Sequence, residues 1–148
     1  MSTRTGSIRF IGRYYHALEQ KGRVSIPAVF RDQLGSSAVI TRGLDGCLFL
    51  FAKKNWARVA AEASTLPLTQ KQARAWVRLL ANNASEVAFD PLGRILVPDY
   101  LRTAAHLIKD IAVVGSLTHI EMWDRDTYHT YLKNIEAQAE TIAESLIT

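Results

Sequence analysis

Gly22-Arg23-Val24-Ser25-Ile26-Pro27-Ala28-Val29-Phe30-Arg31 returns 71 residues later as Gly93-Arg94-Ile95-Leu96-Val97-Pro98-Asp99-Tyr100-Leu101-Arg102. Gly, Pro and both Arg coincide, and Val24/Ile95, Ile26/Val97 and Phe30/Leu101 are apolar exchanges. Upstream, Leu18-Glu19 lies over Phe89-Asp90. Downstream, the offset becomes 72: Val39 to Gly43 lies over Ile111 to Gly115, and Leu48 to Phe51 over Ile120 to Trp123. A match spread over several segments is the signature of an internal repeat, so the chain carries two copies of one unit.

Each copy reads as strand, tight turn, strand, short helix, strand, strand, helix. Residues 13–18 and 86–89 are rich in aromatic and β-branched types, and Val24 to Ile26 and Ile95 to Val97 continue as strands. Gly22 and Gly93 supply the turns between them. Pro27 and Pro98 cannot donate to a ladder but suit a helix start, which predicts helices from 27 to about 34, closed by Gly35, and from 98 to about 106. Short apolar runs at 38–41, 47–51, 111–114 and 119–123 complete the strands. The fold class expected is mainly β with helices (α+β), with modules at 10–56 and 83–128, a helical insertion at 57–82 and a C-terminal helix at 129–148.

The insertion pattern begins near Lys53, is interrupted by Pro67, and then places Ala73, Trp76, Val77 and Leu80 at helical spacing with Lys71, Arg74 and Arg78 on the other face. A solvated polar face explains those cations better than a second nucleic-acid contact. In the C-terminal helix, with Asp124 as its expected N-cap, Leu132, Ile135, Ala139, Ile142 and Leu146 form an apolar stripe that needs a partner in this chain or in another subunit.

With 148 residues and 48% hydrophobic content, the chain can bury a real core. It has no apolar run long enough to span a membrane, and its opening residues lack a signal-peptide core, so a cytoplasmic location is expected. Cys47 is the single cysteine, in an apolar run that suggests a buried thiol. Charge is uneven. Arg4, Arg9, Arg13, Lys21, Arg23 and Arg31 against Glu19 give residues 1–31 a charge of +5, while residues 32–148 sum to −1. A basic excess of this kind attracts phosphate polymers, although most such runs are simply solvated surface.

The element that recurs with chemical content is an acid, three residues, then arginine: Glu19-Gln20-Lys21-Gly22-Arg23 and Asp90-Pro91-Leu92-Gly93-Arg94. In a tight turn the carboxylate can bond backbone N–H groups or the guanidinium, fixing the loop and presenting a cation. The same pairs could equally do no more than close two turns. Lys21, opposite apolar Leu92, makes the first loop the richer in phosphate-binding groups. Enzymatic chemistry finds little support. His16, His106, His119 and His129 make no metal-ligand pattern, and no nucleophile elbow or phosphate-cradling glycine loop occurs. Ser116 to His119 places hydroxyls beside an imidazole, but reads as a turn between strands. No enzyme, cofactor or metal is expected.

Phe10-Ile11-Gly12 and Leu18 to Arg31, followed by Asn83 to Glu86, Asp90 to Ile95, Val113 to Gly115 and Ile120 to Asp124, resemble in order and spacing the motifs of the MraZ family. The resemblance implies a SpoVT/AbrB-like fold, in which two swapped-hairpin modules form a pseudo-two-fold β-barrel, assembled as a ring-shaped homo-oligomer. It also implies a nucleoid-associated regulator, expected to be a repressor, of the division and cell-wall gene cluster including its own operon. The DNA target implied is a set of short G-rich direct repeats in the promoter, contacted through the two acid-x-x-x-Arg loops. On this reading Arg23, Lys21, Arg13 and Arg94 face double-stranded DNA, since arginine can bond guanine O6 and N7 together, while Glu19, Asp90, Gly22 and Gly93 orient the loops. Two departures stand out: Glu19 occupies a position where the family usually has Asp, and Met1 to Arg9 precede the usual start. An AbrB-like antitoxin and an oligomeric protein-binding scaffold are the competing readings. The first normally has one copy plus a toxin-binding tail; the second would use the C-terminal stripe.

Overall fold

Glycine or proline marks several of the changes between elements, among them Gly22, Pro27, Gly35 and Pro98. The computed structural model describes residues 9–147; residues 1–8, with Arg4 and most of the segment ahead of the first module, and Thr148 lie outside the described residues. Strand β1 (Arg13–Ala17) runs into a 3-10 turn (Gln20–Gly22), then β2 (Arg23–Ser25), α1 (Ala28–Leu34), β3 (Ser37–Arg42), β4 (Leu48–Ala52), α2 (Lys53–Ser64) and α3 (Lys71–Asn83). The second copy follows as β5 (Ser85–Ala88), β6 (Arg94–Leu96), α4 (Asp99–Ala104), β7 (Asp110–Gly115), β8 (Ile120–Asp124), α5 (Arg125–Glu136) and α6 (Ala139–Ile147). Pro27 and Pro98 stand at the N-cap, with φ −52 and −56, so each helix begins one residue after the expected start. Their carbonyls accept the first helical N–H groups, from Phe30 and Arg31 and from Leu101 and Arg102.

The architecture is α+β, and its sheets are antiparallel throughout. Six strands form one sheet in the order β1-β7-β8-β4-β3-β5, and β2 pairs with β6 in a separate ribbon. The copies exchange edges: β1 of the first lies on β7 of the second, and β5 of the second lies on β3 of the first. The expected closed barrel is not formed by this sheet, because β1 and β5 are its two edges and do not pair with each other.

Alternation decides what each strand buries. Val24 and Ile26 of the first copy and Ile95 and Val97 of the second point from the ribbon into one core with Phe30, Leu101, Ala38, Ile40, Ile111 and Val113. Each fully buried Val, Ile, Leu or Phe side chain there contributes about 1.5–3 kcal/mol. The two copies thus share a single core, and neither module has an apolar centre of its own. On the opposite sheet face, α5 lays Tyr128 and Tyr131 on Trp123, and α3 is tied in where the Thr41 hydroxyl donates to the Leu80 carbonyl at 3.2 Å.

The repeat register differs from the linear match by one residue in one strand. Val87 pairs with Ala38, and its equivalent His16 pairs with Ile111, so Ile111 corresponds to Ala38 and not to Val39. The extra residues lie between α4 and β7. Because side chains alternate with period 2, this shift is what sends Ile111 and Val113 inward beside Ala38 and Ile40. Where one C-terminal helix over 129–148 is expected, there are two, separated at Ala137 and Gln138 by an N–H of Gln138 bonding back three residues to Ile135. Asp124 caps α5 as expected, accepting from the Thr127 amide at 3.0 Å and its hydroxyl at 2.8 Å. The stripe divides. Leu132 and Ile135 are half-buried on α5, whereas Ile142 and Leu146 are exposed on α6.

Candidate nucleic-acid interface

The two acid-x-x-x-Arg loops leave diagonally opposite corners of the sheet and meet. They are stitched together by the ribbon: Ile26 N–H donates to the Gly93 carbonyl at 3.1 Å, and Val97 N–H to the Gly22 carbonyl at 2.9 Å. Both glycines sit at φ +80, a conformation that costs a side-chain-bearing residue about 1–2 kcal/mol.

The four charged ends of the repeated motif form one network across the copies. Arg94 donates from Nε to Asp90 Oδ2 at 2.8 Å and from Nη1 to Glu19 Oε1 at 2.8 Å. Asp90 also accepts, at Oδ1, the backbone N–H of Leu92 at 3.0 Å and of Arg94 at 2.9 Å. Glu19 makes no comparable bond to its own turn; its second oxygen takes the Ser25 hydroxyl at 3.2 Å. Among the described residues Arg23 has only a loose ion pair, its Nε 3.8 Å from Asp90 Oδ2. Among the described residues Lys21 makes no ion pair and is exposed.

Protonation follows from these contacts. The Arg94 guanidinium holds the Glu19 carboxyl below its ordinary value, and the backbone N–H of Arg94 leads the groups that lower Asp90. Both acids stay charged, and Glu19 in turn pushes Arg94 upward. The network therefore consumes two carboxylates on Arg94, and the net positive charge of the loops is left on Lys21 and Arg23. They border an open depression of about 560 Å³ lined by Leu18, Glu19, Gln20, Lys21, Arg23 and Arg94.

The structure thus gathers Lys21, Arg23, Arg94, Glu19, Asp90, Gly22 and Gly93. Arg13 is not among them. It stands at the other end of β1, opposite Val114, with about 13 Å of strand between it and Ala17. Lys71, Arg74 and Arg78 are on α3, across the sheet from the ribbon. Two residues that the reading of the sequence left without a role belong here: Arg31 packs against Gly93, and Arg102 against Gly22. The only sign of them was that the repeated motif ends on arginine in both copies.

Elsewhere, the chain of bonds through the Thr118 hydroxyl, His119 and Glu121 ends on the Trp123 indole N–H and is flanked by Phe49 and Phe51. Burial pushes Glu121 up, but the bonds from His119 and Trp123 outweigh it and hold the carboxyl low. These groups brace the β7–β8 turn. Cys47 is buried, which pushes its thiol up and keeps it protonated. Among the described residues there is no group of acids, histidines and cysteines able to hold a metal, and no helix is long and apolar enough to cross a membrane.

The family model described as "MraZ protein, putative antitoxin-like" matches twice, at residues 10–79 and 80–148. The chain belongs to the MraZ family. A "Transcriptional regulator MraZ" of Carboxydothermus hydrogenoformans is 41% identical over 138 residues, covering 93% of this chain and 96% of that protein. One of the same name from a Thermoanaerobacter species is 43% identical, covering 92% and 95%, and one from Ligilactobacillus salivarius is 43% identical, covering 93% and 96%. MraZ is a family of transcriptional regulators and not of enzymes. The two matched segments agree with the two copies read from the sequence.

Proposed function

We propose that the chain is a sequence-specific DNA-binding transcriptional regulator, acting as a repressor of the division and cell-wall gene cluster and of its own operon. The observation that carries this reading is the unequal use of charge in the interlocked loops. Arg94 is committed to Glu19 and Asp90, while Lys21 and Arg23 are left toward solvent at one tip. The names of the relatives point the same way. In this reading Arg23 bonds guanine O6 and N7 in the major groove and Lys21 holds a phosphate, whereas Glu19, Asp90 and Arg94 keep the loop in shape. Arg13, remote along β1, contributes at most a phosphate contact beside the main site.

The strand-exchanged copies act as one pseudo-two-fold, barrel-like unit, and a ring of such chains presents several loops to short G-rich direct repeats. Weak single contacts then sum through high effective concentration. Neighbouring loops reach one face of the duplex only when repeats recur at about 10–10.5 bp. The test is a fluorescence-anisotropy titration with promoter DNA carrying one repeat, two in-phase repeats, or two repeats shifted by half a turn. Wild-type protein should bind the in-phase probe tightest. Arg23→Ala, with unchanged circular dichroism and elution volume, should lose about 1–3 kcal/mol per loop on that probe. Wild-type affinity in Arg23→Ala would reject the assignment, and equal affinity for all three probes would remove the ring from recognition.

A further inference from the structure

The close approach of arginine to glycine occurs twice, and each time between copies. A Cβ placed on Gly22 would lie 2.7 Å from Arg102 Cζ and 2.8 Å from its Nε; one on Gly93 would lie 2.6 Å from Arg31 Cζ and 2.8 Å from its Nε. The same guanidinium groups donate from Nε to the Val97 carbonyl, for Arg102, and to the Ile26 carbonyl, for Arg31, each at 3.0 Å. Val97 and Ile26 are the residues whose N–H groups hold the carbonyls of Gly22 and Gly93. The result is a closed clasp: glycine carbonyl to strand N–H, strand carbonyl to arginine Nε, and the guanidinium set against the glycine Cα. Arg102 is additionally held by Asp99 from the first turn of α4, whereas the residue equivalent to Asp99 in α1 is Ala28.

The geometry points to Arg102 as a positioning residue for the DNA-facing loop Glu19–Arg23, although it lies in the other copy; Arg31 does the same for the Asp90–Arg94 loop. The need is greater in the first loop. The Asp90 carboxylate ties down its own turn by accepting two backbone N–H groups, while the Glu19 carboxylate accepts none from its turn, and Lys21 is held at φ 65. With no carboxylate inside the turn, only its backbone bonds hold it from within, Gly22 N–H to the Glu19 carbonyl at 3.2 Å and Glu19 N–H to the Arg23 carbonyl at 2.8 Å. The contact of Arg102 on Gly22 adds the restraint on the direction in which Lys21 and Arg23 leave the surface. An arginine suits the task because its planar, weakly hydrated guanidinium can pack flat on backbone while Nε donates sideways; a lysine ammonium cannot do both.

The consequence for DNA rests on the reading of Glu19–Arg23 as the DNA-facing loop, so the experiment has one arm that does not depend on it. Amide hydrogen exchange of the free protein is compared in wild type, Arg102→Ala, Arg102→Lys and Arg31→Ala, with thermal melting and elution volume as controls. Arg102→Ala should speed exchange at Lys21 to Arg23 and leave Leu92 to Arg94 as they were, and Arg31→Ala should do the reverse. Unchanged exchange at Lys21 to Arg23 in Arg102→Ala would overturn the assignment. In the DNA arm, Arg102→Ala should weaken operator binding about tenfold and Arg31→Ala by about twofold or less, with Arg102→Lys failing to restore it. Equal weakening by Arg31→Ala and Arg102→Ala would mean that both act through general stability, and would also overturn it. If wild type binds no DNA while the exchange pattern appears as expected, it is the DNA-binding reading that falls and the clasp that stands.

Discussion

The loops Glu19–Arg23 and Asp90–Arg94 descend from one motif, meet in space, and do different things. The second is self-contained: Asp90, with its short arm, accepts two backbone N–H groups of its own turn and one side-chain N–H of Arg94. The first is closed by backbone bonds alone, without a carboxylate inside the turn. One more methylene carries the Glu19 carboxylate past its own turn to Arg94 of the other copy, and its turn closes with Lys21 in the left-handed region, a conformation that Leu92 does not adopt. The two copies share a scaffold, but Asp90 turns its carboxylate onto its own loop whereas the longer Glu19 sends its carboxylate across to the other copy. That anion occupies Arg94 and leaves Arg23 the less constrained of the two arginines.

This asymmetry can be broken most strongly at Arg94. Arg94→Ala removes the cation that bridges Glu19 and Asp90 and leaves only the looser Arg23–Asp90 pair, so it should lower Tm by several degrees in calorimetry. Arg23→Ala, which gives up only a 3.8 Å ion pair, should move Tm by much less. Equal losses would show that the arginines are structurally interchangeable and that the difference between the loops is superficial.

A smaller effect sharpens the comparison at the neighbouring position. Lys21→Gly relieves a positive φ that costs about 1–2 kcal/mol, against an entropic cost of about 0.5–1 kcal/mol, so a net gain of up to about 1.5 kcal/mol is expected. Leu92→Gly has no strain to relieve and should destabilise. Denaturant melts of the two variants decide the sign. A stabilised Leu92→Gly would mean that the turns are equivalent after all.

The smallest effect is in acid. Glu19 and Asp90 are both held below their ordinary values of 4.5 and 3.8, so the network's contribution is complete above those values in pH and is lost as the pH falls through the folded-state ones. NMR titration of the side-chain carboxyls should show different dependence on Arg94. In Arg94→Ala, Glu19 should return toward 4.5, because the lost side chain was its main support, while Asp90 should stay low on the backbone N–H groups that remain. Parallel upward movement of both would contradict the division of labour between the loops.

Much of this was legible in the chain. The repeat announces two copies, the Gly-Arg and Pro signals place the turns and helix starts, and Asp124 marks the start of α5. The misread register of β7 shows the limit: the apolar run Ile111 to Val114 is apolar at every position, so the sequence carries no alternation to say which residues face inward. Arg31 and Arg102 went unread for a similar reason. An arginine at the fourth position of a short helix looks like solvated surface until the glycine it covers is brought in from 60 or more residues away.

The sequence by itself determined the local chemistry: which turns need glycine, where helices can begin, which carboxylates and cations sit in the loops, and that the first loop has the extra lysine. Tertiary structure alone decided the partners. Glu19 could have closed its own turn, and either arginine could have been the less constrained one. The choice was made when the two copies exchanged edge strands and buried Val24, Ile26, Ile95 and Val97 in a common core, which fixes the distance between loops from opposite corners of the sheet. Charge type is a property of a residue, whereas which charges meet depends on the collective packing of the whole apolar set, and no single segment encodes that.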